Sequence, residues 1–414
     1  MNMWASVLVF TSLVVSGCLG TPPSSLRLVS ILYRHGDRAP TEIYPKDNNQ
    51  EDKWPNGIGR LTNMGKQEQY ELGQYVKARY DGFISTSHYD QNEISIESSS
   101  MPRCLDSAYT HLAGLFPPQG DQIWKDDLLW QPIPVQTRPM EEDNKLALRK
   151  PCPRYEELFK KMEQKPHFQE EQKRNKKFYD MVRENTGITN KKWTQFVHVA
   201  DTLICERIHN MTWNDWAYAD GVFEKLNNIR LSFFDLFVNT SAMARLQGGP
   251  LLKEMLENMQ AATKTEKPMP KFYMYSAHDT TVAALLKALH AKERNQLIIY
   301  RALVMVELHE TNSEFEVKIF YRNDTSADPY PLTPEGCSQP CTLSKLIEIT
   351  KDTVPKDWDK ECKAKFDGSR ELPPASWIAF GIAIAFIISS VVICIVWRLR
   401  FSNRREKSYS SLPA

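Results

Sequence analysis

Leu26 to Tyr33 (LRLVSILY) is apolar on both alternating faces except at Arg27 and Ser30. A strand apolar on both faces is covered on both, which predicts a buried strand, central and parallel. Asn56 to Gly65 is a Gly-rich loop, with Thr62 or Asn63 placed to cap a helix. Leu72, Tyr75, Val76 and Tyr80 then recur at helical spacing until Asp81-Gly82 stops the helix. Glu93 to Glu97 alternates as a short strand. Ser100 and Pro102 open a second helix with Leu105, Ala108, Leu112 and Leu115 on one face, ended by Phe116-Pro117-Pro118.

From about 130 to 250 strand patterns vanish and a charged, helix-prone region follows, which reads as a helical cap inserted into the fold. Alternation resumes at Lys271 to Ser276. A helix over Thr280 to Leu289 and strands over Ala302 to Leu308 and Phe315 to Tyr321 follow. No repeat at a fixed period interrupts this order. Strands alternating with helices predict an α/β fold, whose sites form beyond the carboxyl ends of the strands.

Two apolar runs stand outside that pattern. Trp4 to Leu19 carries no charge and ends in small residues, which reads as a secretory signal over residues 1–20. Val15-Ser16-Gly17-Cys18 also resembles a bacterial lipoprotein box, a reading that the second anchor and the sequons below oppose. Leu372 to Trp397 is uncharged, longer than the ~20 residues that cross a hydrocarbon core. Trp377 and Trp397 sit at its two ends, and Arg398, Arg400, Arg404, Arg405 and Lys407 follow. Lys356, Lys360, Lys363, Lys365 and Arg370 flank the other side, so the signal sets the orientation. Residues 21–371 are then lumenal or extracellular, and 398–414 form a cytoplasmic tail. In that tail Tyr409 and Leu412 are spaced like an endocytic sorting signal that a clathrin adaptor would read.

The chain has 414 residues with 25% charged and 42% hydrophobic, which excludes a disordered or collagen-like chain. Mean hydropathy is negative, which excludes a polytopic membrane protein. Lys and Arg total 52 against 51 Asp and Glu, so no global basic field supports nucleic-acid binding. Of eight cysteines, Cys18 lies in the signal and Cys394 in the span. Cys104, Cys152, Cys205, Cys337, Cys341 and Cys362 remain, an even set consistent with disulfides in an oxidising compartment. No CxxC or paired His has zinc-site spacing. Asn210, Asn239 and Asn323 open N-glycosylation sequons, all in the lumenal part.

The first chemical constellation is Arg34-His35-Gly36-Asp37-Arg38-Ala39-Pro40, directly after the first strand. Guanidinium forks match phosphate oxygens bidentately and stay charged. An imidazole between them is a nitrogen nucleophile at a phosphate cradle, and Gly36 permits close backbone approach. His278-Asp279, after the strand at 271–276, is by itself a weak signal that reads as a satisfied core histidine. Arg103, in the first turn of a helix, reads by itself as a solvated arginine, although free amides and the dipole there favour an anion.

With these motifs the chain resembles the histidine acid phosphatase family, most of all its lysosomal and prostatic branch. The resemblance runs from about Leu26 to Trp358. It includes RHGDRAP at 34–40, Leu61-Thr62, SAYTHLAGLFPP at 107–118, LLWQPIPV at 128–135, RLQGG at 245–249, MYSAHDTTV at 274–282 and YRND at 321–324. It implies a three-layer α/β sandwich around a mixed central sheet, similar to phosphoglycerate mutase, with the cap and a C-terminal transmembrane helix. Lysosomal members carry such a span and tail, so the expected location is the lysosomal membrane or cell surface.

By the same resemblance His35 attacks phosphorus, and Asp279 is general acid and then base. Arg34, Arg38, Arg103 and His278 hold the phosphate. The arginines supply the countercharge that Mg²⁺ supplies elsewhere, so no cofactor is expected. Neighbouring arginines should push the His35 pKa down and keep it nucleophilic in acid. The family implies Cys337–Cys341 and Cys152–Cys362 bonds and suggests a homodimer. Relatives carry a cysteine in the strand matched by 301–308, which this chain lacks, and Cys104 appears instead. Either Cys104 pairs with Cys205, bracing Arg103, or both are free.

The expected activity is hydrolysis of phosphate monoesters through a phosphohistidine. Narrower alternatives are a phosphatase for phytate-like inositol phosphates or lysophospholipids. A catalytically inactive glycoprotein receptor is a third reading, which the complete set of catalytic residues opposes.

Overall fold

The computed structural model describes residues 23–265, 267, 270–291 and 298–363. The candidate signal, the span at 372–397 and the tail with Tyr409 and Leu412 lie outside the described residues. Among the described residues no helix is long and apolar enough to cross a membrane.

In chain order the elements begin with β1 (Leu26–Arg34), α1 (Asn63–Tyr80), β2 (Ile94–Ser98) and α2 (Pro102–Leu115). The helical segment follows: α3 (Pro153–Glu163), α4 (Pro166–Arg174), α5 (Lys176–Thr186), α6 (Thr194–Ile208), α7 (Val222–Phe237) and α8 (Ser241–Gln247). Then come α9 (Gly249–Ala262), β3 (Phe272–Ala277), α10 (Asp279–Ala288), β4 (Leu303–Thr311), β5 (Glu314–Arg322), β6 (Tyr330–Leu332), β7 (Cys341–Thr342), α11 (Leu343–Ile349) and α12 (Trp358–Glu361).

The strands form one mixed sheet in the order β2-β3-β1-β4-β5-β6, with β7 beside β5. The first strand is central, as its two-sided apolarity demands. It runs parallel to β3 on one side and antiparallel to β4 on the other, so the parallel pairing expected of this strand holds for one neighbour only, within the mixed sheet that the family resemblance implied. Strict alternation divides its side chains. Leu28 and Leu32 face Leu252, Met255, Leu285 and Leu286 of α9 and α10. Val29, Ile31 and Tyr33 face Leu72, Val76, Leu112 and Leu115 of α1 and α2. The result is a three-layer sandwich with a core on each face.

A third core belongs to the helical segment: Phe168, Tyr179, Phe196, Leu203, Leu226 and Ile229 pack together, joined by Tyr44. The α-helices of this segment start only at Pro153. The stretch before them is irregular, with a short helical turn over Met140–Glu142, and bridges β2 through Gln136. α9, next in sequence, already belongs to the sheet core. Cys152 at the start of α3 is bonded to Cys362 at the end of α12, which ties the cap to the main body across 210 residues. Cys337 and Cys341 are bonded to each other. Cys104 and Cys205 are both buried and unbonded, so the bond considered between them is corrected: the second alternative, two free thiols, is the one observed. Of the sequon residues, Asn210 and Asn239 are exposed and Asn323 is half-buried.

α1 and α2 approach each other through glycine. A Cβ at Gly73 would lie 2.0 Å from the carbonyl oxygen of His111, and one at Gly114 would lie 2.1 Å from that of Tyr70. Both obstacles are backbone, so the helices themselves must separate. Gly114→Ala is expected to cost roughly 1–3 kcal/mol, read as a lower urea midpoint. An unchanged midpoint would show that the crossing is not close-packed.

Candidate active site

The RHG turn forms where β1 gives out, and its backbone is clamped on every side. The His35 amide donates to the Ala277 carbonyl at 3.0 Å, at the end of β3. The Arg34 amide donates to Ala302 at 2.9 Å, and Gln69 of α1 donates its amide to the Arg34 carbonyl at 2.9 Å. The Gly36 amide donates to the Ser107 hydroxyl of α2 at 3.2 Å. Gly36 itself faces Gly65: a Cβ on Gly36 would sit 2.3 Å from the Gly65 carbonyl, and one on Gly65 would sit 2.1 Å from that of Asp37. The start of α1 thus presses directly on the turn, which no larger residue would permit.

Asp37 points away from the cleft. Its carboxylate accepts from Thr62, the N-cap of α1, at 2.5 Å and from His209 Nε2, beyond the end of α6, at 2.7 Å. It joins the turn to both α1 and the cap.

His35 is 2% exposed. Its Nδ1 lies 2.8 Å from the Gly36 carbonyl oxygen. A carbonyl can only accept, so Nδ1 carries the proton and Nε2 keeps its lone pair. Burial, then Arg103, Arg34 and Arg38, hold the imidazole well below its usual pKa. A neutral nitrogen nucleophile in acid is what this environment produces.

Each of two arginines on the turn is held by its own carboxylate. Arg34 pairs with Asp279 Oδ2 at 2.9 Å, donates to the Ile298 carbonyl at 2.6 Å and stacks 4.1 Å over Tyr300. Arg38 forms a bidentate pair with Asp201 of α6, both contacts 2.9 Å. Arg103, in the first turn of α2, makes no ion pair with a carboxylate among the described residues. It donates to His278 Nδ1 at 3.3 Å. A guanidinium only donates, so Nδ1 of His278 is the acceptor and its Nε2–H donates to Ser99 Oγ at 3.0 Å. Burial and the neighbouring Arg103 hold His278 neutral, down to about 3. Burial and Arg38 likewise lower the pKa of Arg103, and Asp279 only partly offsets them.

Asp279 opens α10, immediately after β3, with its carboxylate accepting from the Thr280 amide at 2.8 Å. Burial alone would raise its pKa. Arg34, Arg38 and His278 outweigh that and bring it to about 2. The arrangement can therefore hold a tetrahedral dianion, present a nucleophilic nitrogen to its centre and place a carboxyl group at its edge.

The structure brings together all six residues singled out at the two strand ends and at α2: Arg34, His35, Arg38, Arg103, His278 and Asp279. Sequence reasoning missed Asp201, Tyr300 and Ser99. Asp201 lies on a cap helix, and a single aspartate on a charged helix carries no signal; only its contact with Arg38 reveals it. The free thiols flank this same site. Cys104 Sγ lies 3.5 Å from His278 Nε2, and Cys205 Sγ lies 3.5 Å from Arg38 and 3.6 Å from the Tyr300 hydroxyl. Burial raises both thiols to about 12, so they stay protonated. Among the described residues no group of three or more metal-ligating side chains occurs.

Above these residues a cleft of about 240 Å³ opens between the RHG turn and the cap. Arg38, Arg103, His278 and Asp279 line its base, and Val197, Arg230, Phe233 and Phe237 of α6 and α7 line its cap wall.

A model of the histidine phosphatase superfamily, branch 2, matches residues 25–322. The lysosomal acid phosphatase of Homo sapiens is 38% identical over 405 residues, covering 96% of this chain and 95% of its own. The prostatic acid phosphatase of Bos taurus is 39% identical over 350 residues, covering 83% of this chain and 89% of its own. Among solved structures, Hafnia alvei phytase in complex with tartrate superposes with a TM-score of 0.61 at 16% identity, over 83% of this chain and 100% of that one. That identity shows a shared fold alone.

Replacing Asp201 leaves Arg38 buried without its counter-ion, which typically costs ~3–5 kcal/mol. Asp201→Asn is expected to destabilise the protein by about that much near neutral pH. Burial opposes ionisation of Asp201, but Arg38 prevails and lowers its pKa. Stability contributed by a depressed carboxylate is complete above the unfolded value of about 3.9 and is lost as pH falls through the folded one. The gap between variant and parent should therefore close below about pH 4. Urea melts at pH 7 and pH 3 check this; an equal gap at both would contradict it.

Proposed function

The chain belongs to the histidine phosphatase superfamily, branch 2, and from that premise we propose that it is an acid phosphatase. It hydrolyses phosphate monoesters to an alcohol and orthophosphate through a phosphohistidine on residue 35. The observation that carries this reading is the neutral His35 with Nε2 unprotonated, set among three guanidinium groups.

The ester phosphate enters between Arg34, Arg38 and Arg103 and takes Arg103 from His278. His35 Nε2 attacks phosphorus, the P–N bond forms, and the bond to the ester oxygen breaks. Asp279 gives its proton to that oxygen, so a neutral alcohol leaves. Water then attacks phosphorus. Its proton passes to Asp279, the P–N bond breaks, and His35 regains its lone pair. The arginines neutralise charge on the equatorial oxygens throughout.

Beside Arg34 and Arg38, Asp279 by itself is too acidic to hold a proton at pH 5. The substrate changes that. Its negative charges offset Arg34 and Arg38, the groups that depress the carboxyl, so the pKa of Asp279 rises when substrate binds. The same arginines act oppositely on His35, keeping it unprotonated. One cationic field thus sets both limbs of the pH profile.

We place this chemistry in the lumen or outside the cell, behind a signal over 1–20 and an anchor over 372–397. Two disulfides, suited to an oxidising compartment, and exposed Asn210 and Asn239 support that placement. The likeness to lysosomal acid phosphatases favours a lysosomal destination.

Turnover by the full chain, measured from pH 4 to 8, should peak on the acid side; a maximum at pH 8 would contradict the assignment of Asp279. His35→Ala should abolish hydrolysis of p-nitrophenyl phosphate and leave no acid-labile phosphate on the protein. Asp279→Asn separates the two roles. An alkyl ester such as glycerol phosphate needs the proton and should lose roughly 10²–10⁴-fold. p-Nitrophenyl phosphate, whose leaving group departs as a stable anion, should lose far less. Equal losses for both esters would remove Asp279 from its role as acid.

A further inference from the structure

Arg230 stands apart from the groups that the reaction uses. It projects from α7 of the cap into the wall of the cleft above Asp279 and is 8% exposed. Its guanidinium makes no ion pair with a carboxylate among the described residues. It donates only to Asn227 Oδ1, at 3.2 Å from Nη2 and 3.4 Å from Nε, both long. Arg34 and Arg38 each have a carboxylate at 2.9 Å, so the contrast lies within one cleft. A guanidinium taken out of water without a counter-ion is costly, and a fold that keeps one beside an open cleft has left room for an anion from outside.

Burial and then Arg34 depress its pKa, so it is close enough to feel the phosphate site yet is anchored on a different element. Phe233 and Phe237, one turn and two turns further along α7, form the apolar part of the same wall, with Val197 of α6 beside them. Arg149, also at the cleft, is exposed and its charge is hydrated, so it is not the anchor. One buried cation among apolar side chains suits one anion on an apolar body, not a polyanion.

We propose that Arg230 binds a second negative charge on the leaving group, so that the preferred ester joins its phosphate to an apolar body bearing one carboxylate or one further phosphate. This rests on the phosphatase reading above and adds a selectivity to it.

The test is a ratio, which cancels any general loss of activity. kcat/KM is measured with the full chain for phenyl phosphate, 3-carboxyphenyl phosphate and 1,3-phenylene bisphosphate. The parent should prefer at least one of the two charged esters over phenyl phosphate by roughly tenfold or more, the scale of a hydrogen bond to a charged group. Arg230→Gln should abolish that preference, and Arg230→Lys should restore part of it. An unchanged ratio, or an equal fall for all three esters, would overturn the proposal. The second result would make Arg230 a ligand of the reacting phosphate itself or a structural group. Inactivity of the parent on every ester would instead overturn the phosphatase reading, and this one with it.

Discussion

Cations packed around a buried, uncharged imidazole are the constraint on which the rest of this structure depends. His35 sits under Arg34, Arg38 and Arg103; burial first, and then their charges, keep it uncharged. The same arginines hold the carboxyl of Asp279 ionised against its burial. An arriving anion weakens that field and favours a proton on Asp279, while burial still disfavours the imidazolium. On the reading proposed here, the acidity at which the protein works follows from this field without any separate device.

Holding such a field together requires structure on all sides. Asp279 restrains Arg34 from the sheet side, and Asp201 restrains Arg38 from the cap. Tyr300 covers Arg34 from above. Gly36 and Gly65 bring the turn and α1 into backbone contact, and Asp37 ties both to the end of α6. The cap is therefore more than a rim for the substrate. It contributes an ion pair to the centre, and its covalent link from Cys152 to Cys362 keeps it on the body that carries the other half of the site.

The two unbonded thiols have a local explanation. Cys104 packs against Ala277 and His278 on the α2 side, and Cys205 packs against Arg38 and Tyr300 on the α6 side. Each fills a small buried space beside polar groups of the site, where a protonated thiol adds little polarity. The even cysteine count invited a third bond. Pairing depends on distance in space, which count and spacing do not carry.

How much of this was legible differs by element. The central strand, α1, α2, β3 and α10 could be read from periodicity and caps, because each buries a regular set of positions, on both faces in the case of β1, and that pattern is local. The RHG turn could be read because its residue types at a strand end already imply a phosphate cradle, whereas His278-Asp279 and Arg103 drew their roles from the family resemblance. The antiparallel neighbour of β1, the sheet side of α9, Asp201, Tyr300 and the buried Arg230 could not. Each depends on which distant segment arrives beside it, and a charged residue on a helix looks the same in sequence whether it meets water or a guanidinium. The chain alone thus determined the main elements and the RHG motif, and with the family resemblance it nominated the groups that would do the chemistry. The tertiary structure decided their charge states and partners, because those are set by burial and by neighbours at a few ångströms, whatever their separation along the chain.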